Sequence, residues 1–336
     1  MNSKKNHLFI VWLNGIGDFV MAIPALCEFQ KTNNFTEITI LCRNDMSSIL
    51  SKTTIFQEIP IRQIITNKKK PHYDIHLFYK LRQLNADIGV TIFPTQGISS
   101  ALLLLYSGAK LRYHHIYNFK WFKNIHWGIN KHAPILLDTH FSIQMNNLLN
   151  HNVRTVKGFG SYFSKTTVRS NDIGIHCCTS NHKEHREWTI ENWHKTIEFL
   201  LKEDIENIHI FWGKNDLKEM KKFKEKIPKK NIIHHYNLKL GQLMNKVWQC
   251  KFLISIDSSI GHLASIQEIP QIVLFGPFNE TYSKPLNINA IILRPKDTIS
   301  SFKPYYDRFN NNLPKVTDIK VTDVTTSIKE LLKKQH

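Results

Sequence analysis

Short apolar runs alternate along this chain with longer stretches whose apolar residues recur every three or four positions. Leu8–Leu13 (LFIVWL) has no polar break and reads as a strand buried on both faces, and Phe19 to Lys31 then carries helical spacing. Glu37–Cys42 predicts the next strand and Met46–Leu50 the start of a helix. Tyr73–Leu84 reads as helix, Asp87–Phe93 as strand and Ile98–Tyr106 as helix. The second half keeps the rhythm. Strands are expected at Ile173–His176, Asn207–Trp212, Ile232–His234, Phe252–Ile256 and Gln271–Phe275. Helices are expected at Ile190–Lys202, Leu217–Lys226, Leu240–Trp248, Gly261–Gln267 and, closing the chain, Thr322–Leu332.

Continuous apolar strands alternating with helices imply parallel sheets covered on both faces, an α/β fold. The alternation stalls between His151 and Asn171, a polar stretch holding Gly158 and Gly160. A linker there predicts two domains, 1–160 and 161–336. The halves share architecture without an internal repeat, which argues against a solenoid.

Composition adds limits. A chain of 336 residues with 42% hydrophobic and 21% charged residues suits two globular cores. The apolar run Ile98–Tyr106 contains two serines and is too short to span a bilayer, and the N-terminus lacks a signal-peptide pattern. A cytoplasmic protein is expected. Five scattered cysteines without a CxxC pair predict neither a disulfide framework nor a zinc site. Cys27, Cys42 and Cys250 read as core fillers. The net charge of +18 favours polyanionic partners: nucleic acid, an acidic membrane surface or phosphorylated substrates. Compositional drift toward lysine is the alternative.

Four segments carry candidate chemistry. Leu13-Asn14-Gly15-Ile16-Gly17-Asp18 joins the first strand to its helix. Gly15 and Gly17 allow close approach of a ligand, and Asp18 is placed either as a general base or as a helix cap. Asp257-Ser258-Ser259-Ile260-Gly261-His262-Leu263 is again strand then helix; its hydroxyls and backbone N–H groups suit a diphosphate, or they simply cap, with His262 packed. Phe275-Gly276-Pro277 alone is a turn signal. The loop from Cys177 to Glu187 offers Thr179, Ser180, Lys183 and Arg186, cations that would offset a leaving diphosphate or merely lie in solvent. His182-x-x-His185 lacks an acidic partner at metalloprotease spacing, so no metal is expected.

In order, these segments resemble glycosyltransferase family 9, the lipopolysaccharide heptosyltransferase family. Ile10 to Leu26 is similar to the family's strand, G-x-I/L-G-D turn and helix with T-P-A-L. Asp257 to Ala264 is similar to its D-S/T-G-x-x-H-L-A, and Phe275-Gly276-Pro277 to its F/Y-G-P. Arg186-Glu187-Trp188 stands at the K-x-W position, and Thr317–Val324 resembles the closing helix entry. The resemblance implies the GT-B architecture, two Rossmann-like doubly wound parallel-sheet domains facing across a cleft. It further implies an inverting, metal-independent transferase without a cofactor, with Asp18 as general base and Arg186 neutralising the leaving diphosphate. Thr179, Ser180, Asp257, Ser258, Ser259 and His262 would hold the donor, with Gly15, Gly17 and Gly276 shaping the backbone. The partners implied are a sugar nucleotide, ADP-heptose foremost, and an anionic glycolipid or oligosaccharide acceptor.

Two departures stand out. Arg186 replaces a lysine, and Ser259 replaces a glycine expected to let the backbone approach phosphate. They leave open another sugar nucleotide or a degenerate binding protein. A sugar-nucleotide epimerase shares the architecture and would need no acceptor. Arg62, Lys68, Lys69, Lys70 and Lys52 fall in the first half and are expected to meet anionic groups of the acceptor or of the inner membrane, with a solvated loop as the alternative. No helix-turn-helix, zinc-finger or RNP pattern supports nucleic acid as the partner.

Overall fold

The computed structural model describes residues 6–54, 56, 58–68, 70–92, 98–116, 128–136, 138–150, 158–164, 168–179, 186–228, 230–276, 280–295 and 315–334. The chain divides into two compact units, Met1–Lys157 with Ser161–Ser164, and Gly158–Gly160 with Lys165–His336.

The first unit runs β1 (His7–Val11), α1 (Ile16–Asn33), β2 (Glu37–Cys42), α2 (Ser47–Leu50), β3 (Ile61–Ile65), α3 (Ile75–Arg82), β4 (Ile88–Thr91), α4 (Ile98–Tyr106), β5 (Leu111–Ile116), β6 (Lys131–Pro134) and α5 (Phe141–Asn150). Its six strands lie in the order β3-β2-β1-β4-β5-β6, every pairing parallel. All five residues of β1 and all four of β4 are buried, which is why these strands are apolar but for His7 and Thr91 at their ends. Helix α1 is buried from Phe19 to Cys27 and continues through Pro24 to Asn33. Pro24 removes one helical donor but does not end the helix. In the neighbouring turn the Ser142 hydroxyl of α5 donates to the Met21 carbonyl at 2.7 Å.

The second unit runs β7 (Ile173–His176), α6 (Ile190–Leu200), β8 (Ile208–Trp212), α7 (Leu217–Lys226), β9 (Ile232–Tyr236), α8 (Leu240–Gln249), β10 (Phe252–Ile256), α9 (Ser259–Ile266), β11 (Gln271–Leu274), α10 (Glu280–Ser283), β12 (Ala290–Leu293) and α11 (Val321–Lys333). Its sheet, β12-β11-β10-β7-β8-β9, is also parallel throughout. Counted within the unit, this is the same 3-2-1-4-5-6 order as the first sheet, read from the other edge. That order is the doubly wound Rossmann arrangement. The Trp188 indole donates to the Ile319 carbonyl at 3.0 Å and meets Trp193 edge-on at 5.2 Å, tying the segment before α11 to the core.

In each sheet the connections reverse direction at one point, between β1 and β4 and between β7 and β10. Ligands of such sheets bind beyond the carboxyl ends of the strands flanking that point. Gly15–Asp18 follows β1; Thr179 follows β7, and Asp257–Ser259 follows β10.

Among the described residues no helix is long and apolar enough to cross a membrane. All five cysteines are free and buried.

Two fully enclosed histidines make the fold sensitive to acid. His115 on β5 donates from Nε2 to the Gln144 carbonyl at 3.1 Å, and burial pushes it down to about 4. Burial pushes His176, the last residue of β7, down to about 4 as well. Both stay neutral in the folded chain while the unfolded chain takes up protons near pH 6.5. Folding stability is therefore full above 6.5 and falls as pH drops toward 4. Each histidine costs about 2 kcal/mol between pH 6.5 and 5. Thermal melts at pH 7 and pH 5 are expected to show a Tm lower by several degrees at pH 5. Replacing His115 with Gln should reduce that drop.

Candidate active site

The turn after β1 is fixed locally. Gly15 is the N-cap of α1 with φ −69° and ψ 157°, and its N–H donates to Oδ2 of Asp18 at 3.1 Å. The Trp12 indole donates to the Gly15 carbonyl at 3.1 Å, and its ring packs on Phe19 at 5.0 Å. Trp12 and Phe19 are fully buried, so they anchor the turn from both sides. Asp18 thus has a capping role in the first turn of α1, at the carboxyl edge of the sheet where a base would also stand. Gly17 is buried as the second residue of the helix.

The second unit assembles a denser cluster. Arg186 extends Nη2 to Asp257, donating to its carbonyl at 2.8 Å and to Oδ2 at 2.9 Å. The pair is largely enclosed, with side-chain exposures of 22% and 14%. Burial pushes the Asp257 carboxyl above its ordinary range, and the Arg186 charge pulls against that rise. Ser258 is the N-cap of α9, yet its hydroxyl makes no capping bond to that helix. It pairs instead with Nδ1 of His176 at 3.0 Å. Among the described residues, α9 thus lacks a side-chain cap from Ser258, and its amino end is of the kind at which helix termini hold phosphates.

Gly261, in the first turn of α9, has a packing reason. A Cβ there would stand 3.2 Å from Oε1 of Gln271 and 3.3 Å from Pro285, so a larger residue would press on both neighbours. Ser259 carries no such demand. It is the first residue of α9 and has no positive φ. A serine fits that backbone without strain.

Thr179 stands at the end of β7 and is bound through both its N–H (2.6 Å) and its hydroxyl (2.9 Å) to Oε1 of Glu187. His262 is buried in α9, and Gly276 is buried just after β11. Among the donor-side residues singled out from sequence, Arg186, Asp257 and Ser258 are thus linked directly or through neighbours at one strand edge. Ser180 and Lys69 lie outside the described residues, as do Lys183, His182, His185 and the tail 277–279. Arg62, Lys68 and Lys70 are exposed on and after β3 in the first unit, as is Lys80 on α3.

Sequence reasoning missed two members of this cluster, His176 and Glu187. The signal for His176 was its place as the polar last residue of an otherwise apolar strand beside the reversal point. Glu187 gave no separate signal, since a charged loop surrounds it. Among the described residues no three His, Cys, Asp or Glu side chains are grouped to hold a metal ion.

The profile of glycosyltransferase family 9 (heptosyltransferase) matches residues 75–303, well over half the chain. The chain belongs to glycosyltransferase family 9. This glycosyltransferase gives no match among curated protein sequences. Its fold is similar to that of the family 9 glycosyl transferase from Veillonella parvula DSM 2008, with a TM-score of 0.76 at 19% identity, covering 99% of each chain. It is similar also to the E. coli ADP-heptose lps heptosyltransferase II, with a TM-score of 0.75 at 15% identity over 98% of this chain and 99% of that one. The E. coli heptosyltransferase WaaC, solved with ADP, gives 0.72 at 15% identity over 97% and 99%. At such identities the likeness is one of fold. The GT-B class of α/β fold expected from the sequence is the one found. Family membership also decides between the transferase and the epimerase reading in favour of the transferase.

Proposed function

We propose that this glycosyltransferase moves heptose from ADP-heptose to a hydroxyl of a lipopolysaccharide core or a related anionic glycan, with inversion and without a metal ion. The observation that carries the reading is the Arg186–Asp257 pair beside the amino end of α9, at the reversal point of the second sheet. The similar folds of the E. coli ADP-heptose lps heptosyltransferase II and of heptosyltransferase WaaC, solved with ADP, support the donor.

In this reading the Asp18 carboxylate takes the acceptor hydroxyl proton as that oxygen attacks the anomeric carbon. The bond from that carbon to the donor phosphate breaks, and ADP leaves with the electron pair. Its new charge meets the Arg186 guanidinium and the N–H groups at the start of α9, where a Lys-for-Arg exchange would lose the planar fork. Asp257 aims Arg186 and, being a carboxylate, faces the sugar hydroxyls better than the phosphates. His176 stays neutral at working pH and fixes the Ser258 hydroxyl, while Glu187 fixes Thr179. The two units supply base and anion site respectively, with domain limits near residue 160. The reaction belongs at the cytoplasmic face of the inner membrane, where the glycolipid acceptor is built.

The test is transfer itself. With ADP-heptose and a lipopolysaccharide acceptor lacking heptose, mass spectrometry should show the acceptor heavier by one heptose and ADP released in equal amount. Consumption of ADP-heptose at the same rate without acceptor would defeat the reading, as would transfer only from a different sugar nucleotide.

A further inference from the structure

Exposed large apolar side chains are ordinary when scattered, but here several gather in one stretch of the first unit. Ile65 ends β3 at 53% exposure, Tyr73 stands at 76%, and Ile75 and Tyr79 on α3 at 56% and 61%. Ile75 and Tyr79 are four residues apart and share the outward face of α3, while Leu77 and Leu81 turn into the core. Phe78 secures the helix from below by packing edge-on against Tyr106 at 4.8 Å.

The charge of the stretch is one-sided. Residues 61 to 84 hold six Lys and Arg and a single acid, Asp74. That acid is occupied as the N-cap of α3, accepting from the N–H groups of His76 (3.1 Å) and Leu77 (3.4 Å). Lys68 and Lys70, before the apolar residues in the chain, and Lys80 and Arg82, after them, are all exposed. The Lys70 ammonium lies over the Tyr73 ring at 5.8 Å, so cation and aromatic ring form one surface.

We propose that this surface docks on an anionic lipid bilayer, with Tyr73, Ile75 and Tyr79 entering the headgroup boundary and the lysines and Arg82 meeting lipid phosphates. Tyrosine rings with a polar tip and lysines with long apolar stems suit that boundary. Opposite charge draws the patch to such a surface. A second copy of the chain is a poor occupant, because the same face would bring like charges together. The inference deepens the acceptor side of the proposed reaction and rests on it for the glycolipid that makes docking useful. The loops after β3 and after β1 leave the sheet at the same carboxyl edge, so docking sets the Asp18 turn on the membrane side of its unit.

Flotation with acceptor-free, donor-free vesicles tests this apart from catalysis. Partition onto phosphatidylcholine vesicles containing about 30% phosphatidylglycerol should exceed that onto phosphatidylcholine alone by about tenfold, and should weaken with salt. The combined variant Tyr73→Ser, Ile75→Ser, Tyr79→Ser should lower partition about tenfold while its circular dichroism and its turnover of a short water-soluble acceptor stay unchanged. Neutralising Lys218, Lys221 and Lys222 on α7 should change partition by less than about twofold. Equal partition onto both vesicle types overturns the proposal, as does an equal loss in the α7 variant. Tighter binding to a single-stranded RNA oligonucleotide, abolished by the same triple serine variant, overturns it in favour of a nucleic-acid surface. If transfer fails while partition behaves as stated, the loss falls on the transferase reading alone.

Discussion

Replacing Asp18 with Asn is expected to lower kcat about 10³-fold with little change in donor affinity or Tm, within the range for a lost general base. The reason lies in what asparagine retains. Its side-chain carbonyl can still accept from the Gly15 N–H, so the cap on α1 survives while the base is lost. Asp18→Ala removes both and should add a stability loss of about 1 kcal/mol, visible as a lower Tm. If Asp18 were only a cap, the order would invert: Asn would be nearly silent in rate, and Ala would act through stability alone. Steady-state kinetics beside thermal melts of both variants separates the two roles.

Arg186→Ala should lower kcat/KM about 10²- to 10³-fold, the size expected when a group stabilising transition-state charge is removed. It should also destabilise the fold by about 1–3 kcal/mol at pH 7, because Asp257 is left enclosed without its cation. Asp257 already sits above its ordinary range through burial, so losing Arg186 raises it further. A raised carboxyl is less costly protonated, so this stability loss should shrink as pH falls toward 5. Arg186→Lys keeps the charge near Asp257 but presents it to the leaving diphosphate without the guanidinium's second nitrogen, and should recover most stability with only part of the rate. A purely structural Arg186 would give destabilised variants whose folded fraction turns over normally. Single-turnover rates on the folded protein distinguish these outcomes.

How far the sequence could be read depended on where each element sits. The central strands β1, β4, β7, β8 and β10 are wholly buried, and their mostly apolar runs, broken by no more than one polar residue each, marked them. Of the four edge strands only β9 showed, through Ile232 and Ile233. β3 (IRQII) and β6 (KHAP) keep neither a continuous apolar run nor clean alternation, and β12 (AIIL) is apolar but only four residues long and half-exposed. β5 escaped for a different reason. His114 and His115 are buried there because the Thr91 hydroxyl (2.8 Å) and the Gln144 carbonyl satisfy them, partners that lie 23 and 29 residues away. The site followed the same logic. Asp18, Arg186 and Asp257 stood in motifs whose spacing carries chemistry. His176 did not, because its bond to Ser258 joins residues 82 apart. Ser259 departs from the family's glycine, but as the first residue of α9 it has an ordinary backbone conformation, and the tighter packing is at Gly261.

The central claim is that the carboxyl edge of the second sheet, built around Arg186 and Asp257, holds the nucleotide-sugar donor. A thermal-shift panel of ADP-heptose against GDP-, CDP- and UDP-sugars, run on the native chain and on Arg186→Ala, tests it most directly. At a concentration near 100 times Kd, ADP-heptose should raise the native Tm by about 5 °C, and the shift should largely vanish in Arg186→Ala. No shift from any member of the panel, or an equal shift in both proteins, would contradict the account.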